Sequence, residues 1–260
     1  MKLEVNGINL NVSEAGSGDQ AYVFMHFWGA SSLEWAGVIE GLSSTYRCVA
    51  FDLRGSGSSD APASGYRMTD LADDAQSVIA AMKLKKYVLV GHSMGGKAAQ
   101  VLAARRPDGL KGLALVASAP AGPMHIGDAE REQMRGAYTS RETVNWAIDN
   151  VLTSAPISDT DREAIITDAL RLSESAREGW IEVGSREDYS KEVANVNVPV
   201  AIIAGEEDKI DPVEVVKTDI IPSFQSPETH FLAGRGHLLP AEAPAEVVEI
   251  LSNFGAKVFA

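Results

Sequence analysis

Apolar residues recur along this chain in two alternating rhythms. Short continuous runs of strand length cover 22–25, 46–51, 87–90, 113–116, 200–204 and 229–232. Most are followed by stretches with helical spacing, at 33–42, 69–82, 94–105, 213–220 and 243–254. In 69–82 the residues Leu71, Ala75, Val78, Ile79 and Met82 share one helix face. Pro107 stops the helix over 94–105. The first twelve residues behave differently. Leu3 and Val5 alternate with polar neighbours, Asn6-Gly7 is a favoured two-residue turn, and Ile8, Leu10 and Val12 alternate again. That pattern predicts an antiparallel hairpin.

Continuously apolar strands alternating with helices predict an α/β fold, with a mostly parallel, doubly wound central sheet covered on both faces. The hairpin is expected at one edge. Residues 120–190 break the rhythm. They carry helical patterns around Arg131 and over 144–151, 162–172 and 176–183, and no strand pattern. We expect a core formed by 1–119 and 191–260, with 120–190 as a helical insertion. Ligands bind such sheets beyond the C-terminal strand ends, so the insertion is expected to cap the site.

Composition adds limits. The chain has 260 residues, 45% of them hydrophobic, enough for a substantial core. The net charge of −13 and the lack of a long Lys/Arg run argue against nucleic acid and anionic membrane surfaces as partners. No stretch approaches the ~18 apolar residues of a membrane span. The N-terminus lacks a long apolar leader, so a cytoplasmic location is expected. The single cysteine, Cys48, lies in an apolar run and reads as a buried thiol.

The chemistry concentrates in three places. Gly91-His92-Ser93-Met94-Gly95 is a G-x-S-x-G pentad between the strand 87–90 and a helical run. That strand–turn–helix setting is what a nucleophile elbow requires. Glycines suit a turn too tight for side chains, and the serine is expected in a strained conformation. A serine hydroxyl needs a base. Of five histidines, His237 lies in a glycine-rich loop directly after the last strand, at the sheet edge of the pentad. His92 is expected to point away from Ser93, and His26 to hold a loop. The base needs an acidic partner. Asp208 and Asp211 both follow the strand 200–204. Asp211 precedes Pro212 and reads as a helix N-cap, which leaves Asp208 as the expected acid. The order Ser93, Asp208, His237 suits this fold type. Asp52 and Arg54 are expected to hold a loop, and Lys97 to be structural or exposed. The histidines show no metal-ligand spacing and no phosphate-binding loop is present. Neither a metal nor a cofactor is expected.

Four segments carry a family resemblance: His26-Phe27-Trp28-Gly29, Asp52 to Ser59, the pentad, and Gly236 to Pro244. Over nearly its whole length the chain resembles enzymes of the α/β-hydrolase fold. Within them it is most similar to small serine esterases and cofactor-free haloperoxidase-like enzymes with a helical cap. The resemblance implies an oxyanion hole from the backbone N–H groups of Trp28 and Met94. The family's usual His-Gly is replaced by His26-Phe27, which sets two aromatics beside the site. Phe27, Trp28 and Leu238 are the pocket residues expected, while Met124, Met134, Trp146 and Trp180 suit either a pocket or the insertion's own core. The implied activity is hydrolysis of small, largely apolar carboxylic esters through an acyl-enzyme. The same triad serves lactonases, C–C bond hydrolases and perhydrolases, and supports cofactor-free oxygenation. A ligand receptor on the same scaffold is the reading from another class. The expected partner is a small ester-like molecule; oligomeric state is left open.

Overall fold

The computed structural model describes residues 1–260. Eight strands form one sheet: β1 Lys2–Val5, β2 Ile8–Ala15, β3 Gln20–Met25, β4 Arg47–Phe51, β5 Lys86–His92, β6 Leu110–Val116, β7 Val200–Gly205 and β8 Glu228–Leu232. Their spatial order is β1-β2-β4-β3-β5-β6-β7-β8. The β1/β2 and β2/β4 pairs are antiparallel, and every other pair is parallel. The hairpin therefore forms the edge, as its alternation predicts. Its turn works because Asn6 and Gly7 both take positive φ, 50° and 77°, the twist a two-residue hairpin needs.

Successive residues of the central strands enter two separate cores. Ala21, Val23 and Met25 face one, and Tyr22 and Phe24 the other; Leu89 and Val90 divide in the same way. This is why these strands read as unbroken apolar runs. The helices are α1 Ala36–Leu42, α2 Met68–Ala81, α3 Met94–Ala104, α4 Asp128–Ala137, α5 Arg141–Ala147, α6 Asp159–Arg171, α7 Glu174–Glu178, α8 Ser190–Val193, α9 Val213–Val215, α10 Leu239–Glu242 and α11 Pro244–Val258. Helices α1 and α11 pack on each other over one face through Val38, Leu42, Val247 and Leu251. Helices α2 and α3 cover the opposite face through Leu71, Val78, Ala98 and Leu102.

Between β6 and β7 the chain forms helices only. Val144, Ile148, Ile165 and Trp180 from this stretch join the core under α2 and α3, so it packs continuously with the sheet domain. Four expected helices differ in detail. The stretch 33–42 begins as a tight turn over Ser32–Trp35, because the Ser31 hydroxyl accepts the Leu33 N–H and fixes the entry. The stretches 144–151, 176–183 and 213–220 each end in a wider π-helical turn, at Ile148–Leu152, Gly179–Val183 and Val216–Ile220. No helix is long and apolar enough to cross a membrane.

Candidate active site

Strand β5 ends at His92 and helix α3 begins at Met94, which leaves Ser93 alone in the turn. Its backbone sits at φ 51°, ψ −118°. For a non-glycine residue that is a strained conformation. It is held because the Ser93 N–H reaches the carbonyls of Val116 and Ala117 at 3.2 and 3.1 Å, while Lys97 and Ala119 donate to the Ser93 carbonyl. The flanking glycines are required by contact. A Cβ on Gly95 would lie 2.5 Å from the carbonyl oxygens of Met25 and His26, and one on Gly91 would lie 2.5 Å from that of Gly95. Helix and strands approach too closely there for any side chain.

His237 and Asp208 meet beyond β8 and β7. Asp208 Oδ2 lies 2.8 Å from His237 Nδ1. Its Oδ1 accepts the N–H groups of Ile210 and Asp211 at 2.8 and 3.1 Å, so the carboxylate is fixed on both oxygens. A carboxylate can only accept, so Nδ1 carries the hydrogen and Nε2 of the neutral ring is left basic. Burial alone pulls the His237 pKa down. The bonded Asp208 carboxylate more than offsets this, and the value lies above the usual 6.5.

Ser93 and His237 line the same cavity, of about 480 Å³, with Asp208 behind the histidine. Phe27, Trp28, Met124, Met134, Trp146 and Trp180 all contribute to its walls. Trp28 packs against Tyr138 of the helical insertion, ring centroids 4.5 Å apart and tilted by 39°, so that insertion touches the loop after β3. The Trp28 N–H makes no hydrogen bond within the protein. Met94 is the first residue of α3, where an N–H has no intrahelical acceptor. Leu238 lies outside this cavity. The His237 and Leu238 amides both donate to the Leu152 carbonyl. In that setting the Leu238 side chain faces a separate narrow space with Phe27 and His92.

Asp211 does not cap a helix. Pro212 occupies the N-cap position of α9, with Val213 as the first helical residue. The Asp211 carboxyl is buried with neither oxygen hydrogen-bonded. His26 holds a loop, as expected, by accepting the Leu53 N–H at 2.9 Å. Asp52 and Arg54 do more than hold their own turn. Asp52 binds Ser32 and Ser58 amides, and Arg54 makes a bidentate pair with Asp74 of α2 at 2.7 Å. Lys97 is fully buried and donates to the carbonyls of Gly122 and Glu187, at the two ends of the insertion. Burial lowers its pKa to about 8 against the pull of Glu187, Asp188 and Asp211.

Two acids that sequence reasoning passed over support the histidine loop. Glu242 accepts the amides of Gly236, Ser154 and Ala155, and so pins the His237 loop to the insertion. Glu34 faces His92 Nδ1 at 3.2 Å, and His92 Nε2 donates to the His237 carbonyl at 2.9 Å. The signal for Glu34 was an acid among apolar residues at the start of a helical pattern; its partners are distant in sequence. No group of three or more His, Cys, Asp or Glu residues converges as a metal site would require.

The model of the alpha/beta hydrolase fold family matches residues 23–144. Among curated relatives, a 2-(acetamidomethylene)succinate hydrolase from Mesorhizobium japonicum is 26% identical over 97% of this chain and 94% of its own. A soluble epoxide hydrolase from a Corynebacterium species is also 26% identical, over 97% and 95% of the two chains. Among solved structures, an esterase from Exiguobacterium antarcticum superimposes with a TM-score of 0.88 at 22% identity, covering 97% of each chain.

Proposed function

The chain belongs to the α/β-hydrolase fold superfamily, and from that premise we propose that it is a serine hydrolase acting on carboxylic esters of small, largely apolar substrates. The observation that carries this reading is the 2.8 Å contact from His237 Nδ1 to Asp208, on a histidine that shares one cavity with Ser93. Ser93 Oγ attacks the ester carbonyl while His237 Nε2 takes its proton. Asp208 stabilises the imidazolium that forms. The N–H groups of Trp28 and Met94 bind the oxyanion, each contributing about 3 kcal/mol of transition-state stabilisation. His237 then protonates the leaving alcohol, and water hydrolyses the acyl-enzyme through the same base. The helices of 120–190 act as a cap whose apolar wall excludes water and takes up the substrate. A serine at the elbow, rather than a carboxylate, separates this proposal from the route expected of epoxide hydrolases of the fold.

Treatment with a fluorophosphonate tests the reading without a guess at the substrate. Stoichiometric labelling of Ser93 in the native protein, lost in His237→Ala, is the expected result. A folded protein that resists labelling would overturn it and favour the receptor alternative.

A further inference from the structure

One carboxyl group in the cavity wall has no part in the chemistry above. Asp211 lines the cavity but is only 1% exposed, and no protein group lies within hydrogen-bonding distance of either oxygen. Its position is fixed by the triad acid itself, because the Asp211 N–H donates to Asp208 Oδ1 at 3.1 Å. Asp211 therefore sits in the turn that holds Asp208, beside His237.

Two buried carboxyl groups so close do not both ionise readily. Asp208 is the one held as the anion, by the His237 ring N–H and by the backbone N–H groups of Ile210 and Asp211. Lys97 also acts on Asp211, but its ammonium is already engaged by the Gly122 and Glu187 carbonyls. Burial first, and the Asp208 charge second, raise the Asp211 pKa well above the usual carboxyl range, against weaker pulls from His237 and Lys97. A carboxyl group that keeps its proton is a hydrogen-bond donor. This donor has no acceptor in the protein, and a ligand that brings one relieves a buried unsatisfied group.

We propose that Asp211 is a substrate-recognition group, whose carboxyl O–H donates to a second oxygen acceptor near the scissile ester. The favoured substrates are then oxo esters, with a keto oxygen close to the ester carbonyl, over alkyl esters of the same shape. This rests on the serine hydrolase reading and specifies its substrate class.

The test compares methyl 3-oxobutanoate with methyl 3-methylbutanoate, which differ by a keto oxygen against a methyl group. The readout is the ratio of their kcat/KM values in the native enzyme, Asp211→Asn and Asp211→Leu. Intrinsic ester reactivity cancels between variants. The native ratio is expected to exceed that of Asp211→Leu by about ten- to a hundredfold, the worth of a buried hydrogen bond left unmade. Asp211→Asn keeps an N–H donor at the position and is expected to keep the ratio within about threefold of native. Asp211→Ala replaces the leucine variant should that one fail to fold. Equal loss in the asparagine and leucine variants would mean an ionised acceptor and overturn the proposal. An unchanged ratio in all variants would overturn it by making Asp211 structural. Fluorophosphonate labelling of Ser93 is read alongside. Labelling with an unchanged ratio removes the Asp211 proposal alone, whereas no labelling and no cleavage of either ester removes both readings.

Discussion

The cavity has two walls made in different ways. The floor, formed by the loops after β3, β5, β7 and β8, is set by backbone constraint. Ser93 is held at positive φ, Gly95 tolerates no Cβ, and Asp208 is bonded at both oxygens. The roof, drawn from residues 120–190, presents Met124, Met134, Trp146 and Trp180 as apolar surface. Few hydrogen bonds fix these side chains. The contrast teaches where precision is needed. Acyl transfer tolerates little error in the reacting groups, while binding an apolar substrate asks only for surface of suitable shape. Substitutions in the floor should therefore act on chemistry, and those in the roof on affinity.

The largest effect expected is in the floor. Ser93→Ala should lower kcat by about 10⁴-fold or more, and Asp208→Asn by about 10⁴-fold. Steady-state kinetics on an ester cleaved by the native enzyme checks both. A nearly silent Asp208→Asn beside a severe Asp211→Asn would move the acid to Asp211. Next in size is a stability effect below the floor. Arg54→Ala leaves the fully buried Asp74 carboxylate unpaired and should destabilise the fold by about 3–5 kcal/mol, read by denaturant unfolding. In the roof, Met134→Ala should raise KM by roughly three- to tenfold for an apolar ester with kcat nearly unchanged, as loss of uniform binding does. A kcat loss matching that of a floor residue would erase the contrast.

The mildest test is a pH profile. In the proposed mechanism His237 must be neutral to accept the Ser93 proton. Its pKa is raised above 6.5, so kcat/KM should climb with pH through a limb above the ordinary imidazole range. For stability the same shift works oppositely. The folded state holds the proton more tightly than the unfolded chain, so this contribution is complete below about pH 6.5 and fades as pH rises through the folded value. A kinetic limb below the ordinary range would contradict the pairing with Asp208.

Much of the floor could be read from the chain itself, because its constraints are local. The pentad between an apolar strand and a helical run marks the turn at Ser93, and Asn6-Gly7 marks the edge hairpin. The supports were harder to read because their partners lie far away in sequence. Glu242 meets Ser154 across 88 residues, and Glu34 meets His92 across 58. Lys97 offered no sign that its ammonium would be buried against two carbonyls. Leu238 was misplaced for a related reason. Its neighbour His237 lines the cavity, but the next residue in a tight turn points elsewhere. Asp211 read as a cap from its position before Pro212, since local pattern does not reveal that the carboxyl is drawn inward beside Asp208.

Lys97 gathers the carbonyls of Gly122 and Glu187 onto one ammonium, and strands β6 and β7 on either side of that excursion are neighbours in the sheet. The helical stretch thus leaves and re-enters the domain through a single clasped doorway. A segment attached in that way behaves as a cassette. Its length adds little to the entropy of closing it, which grows only logarithmically, and no strand needs rethreading when its contents change.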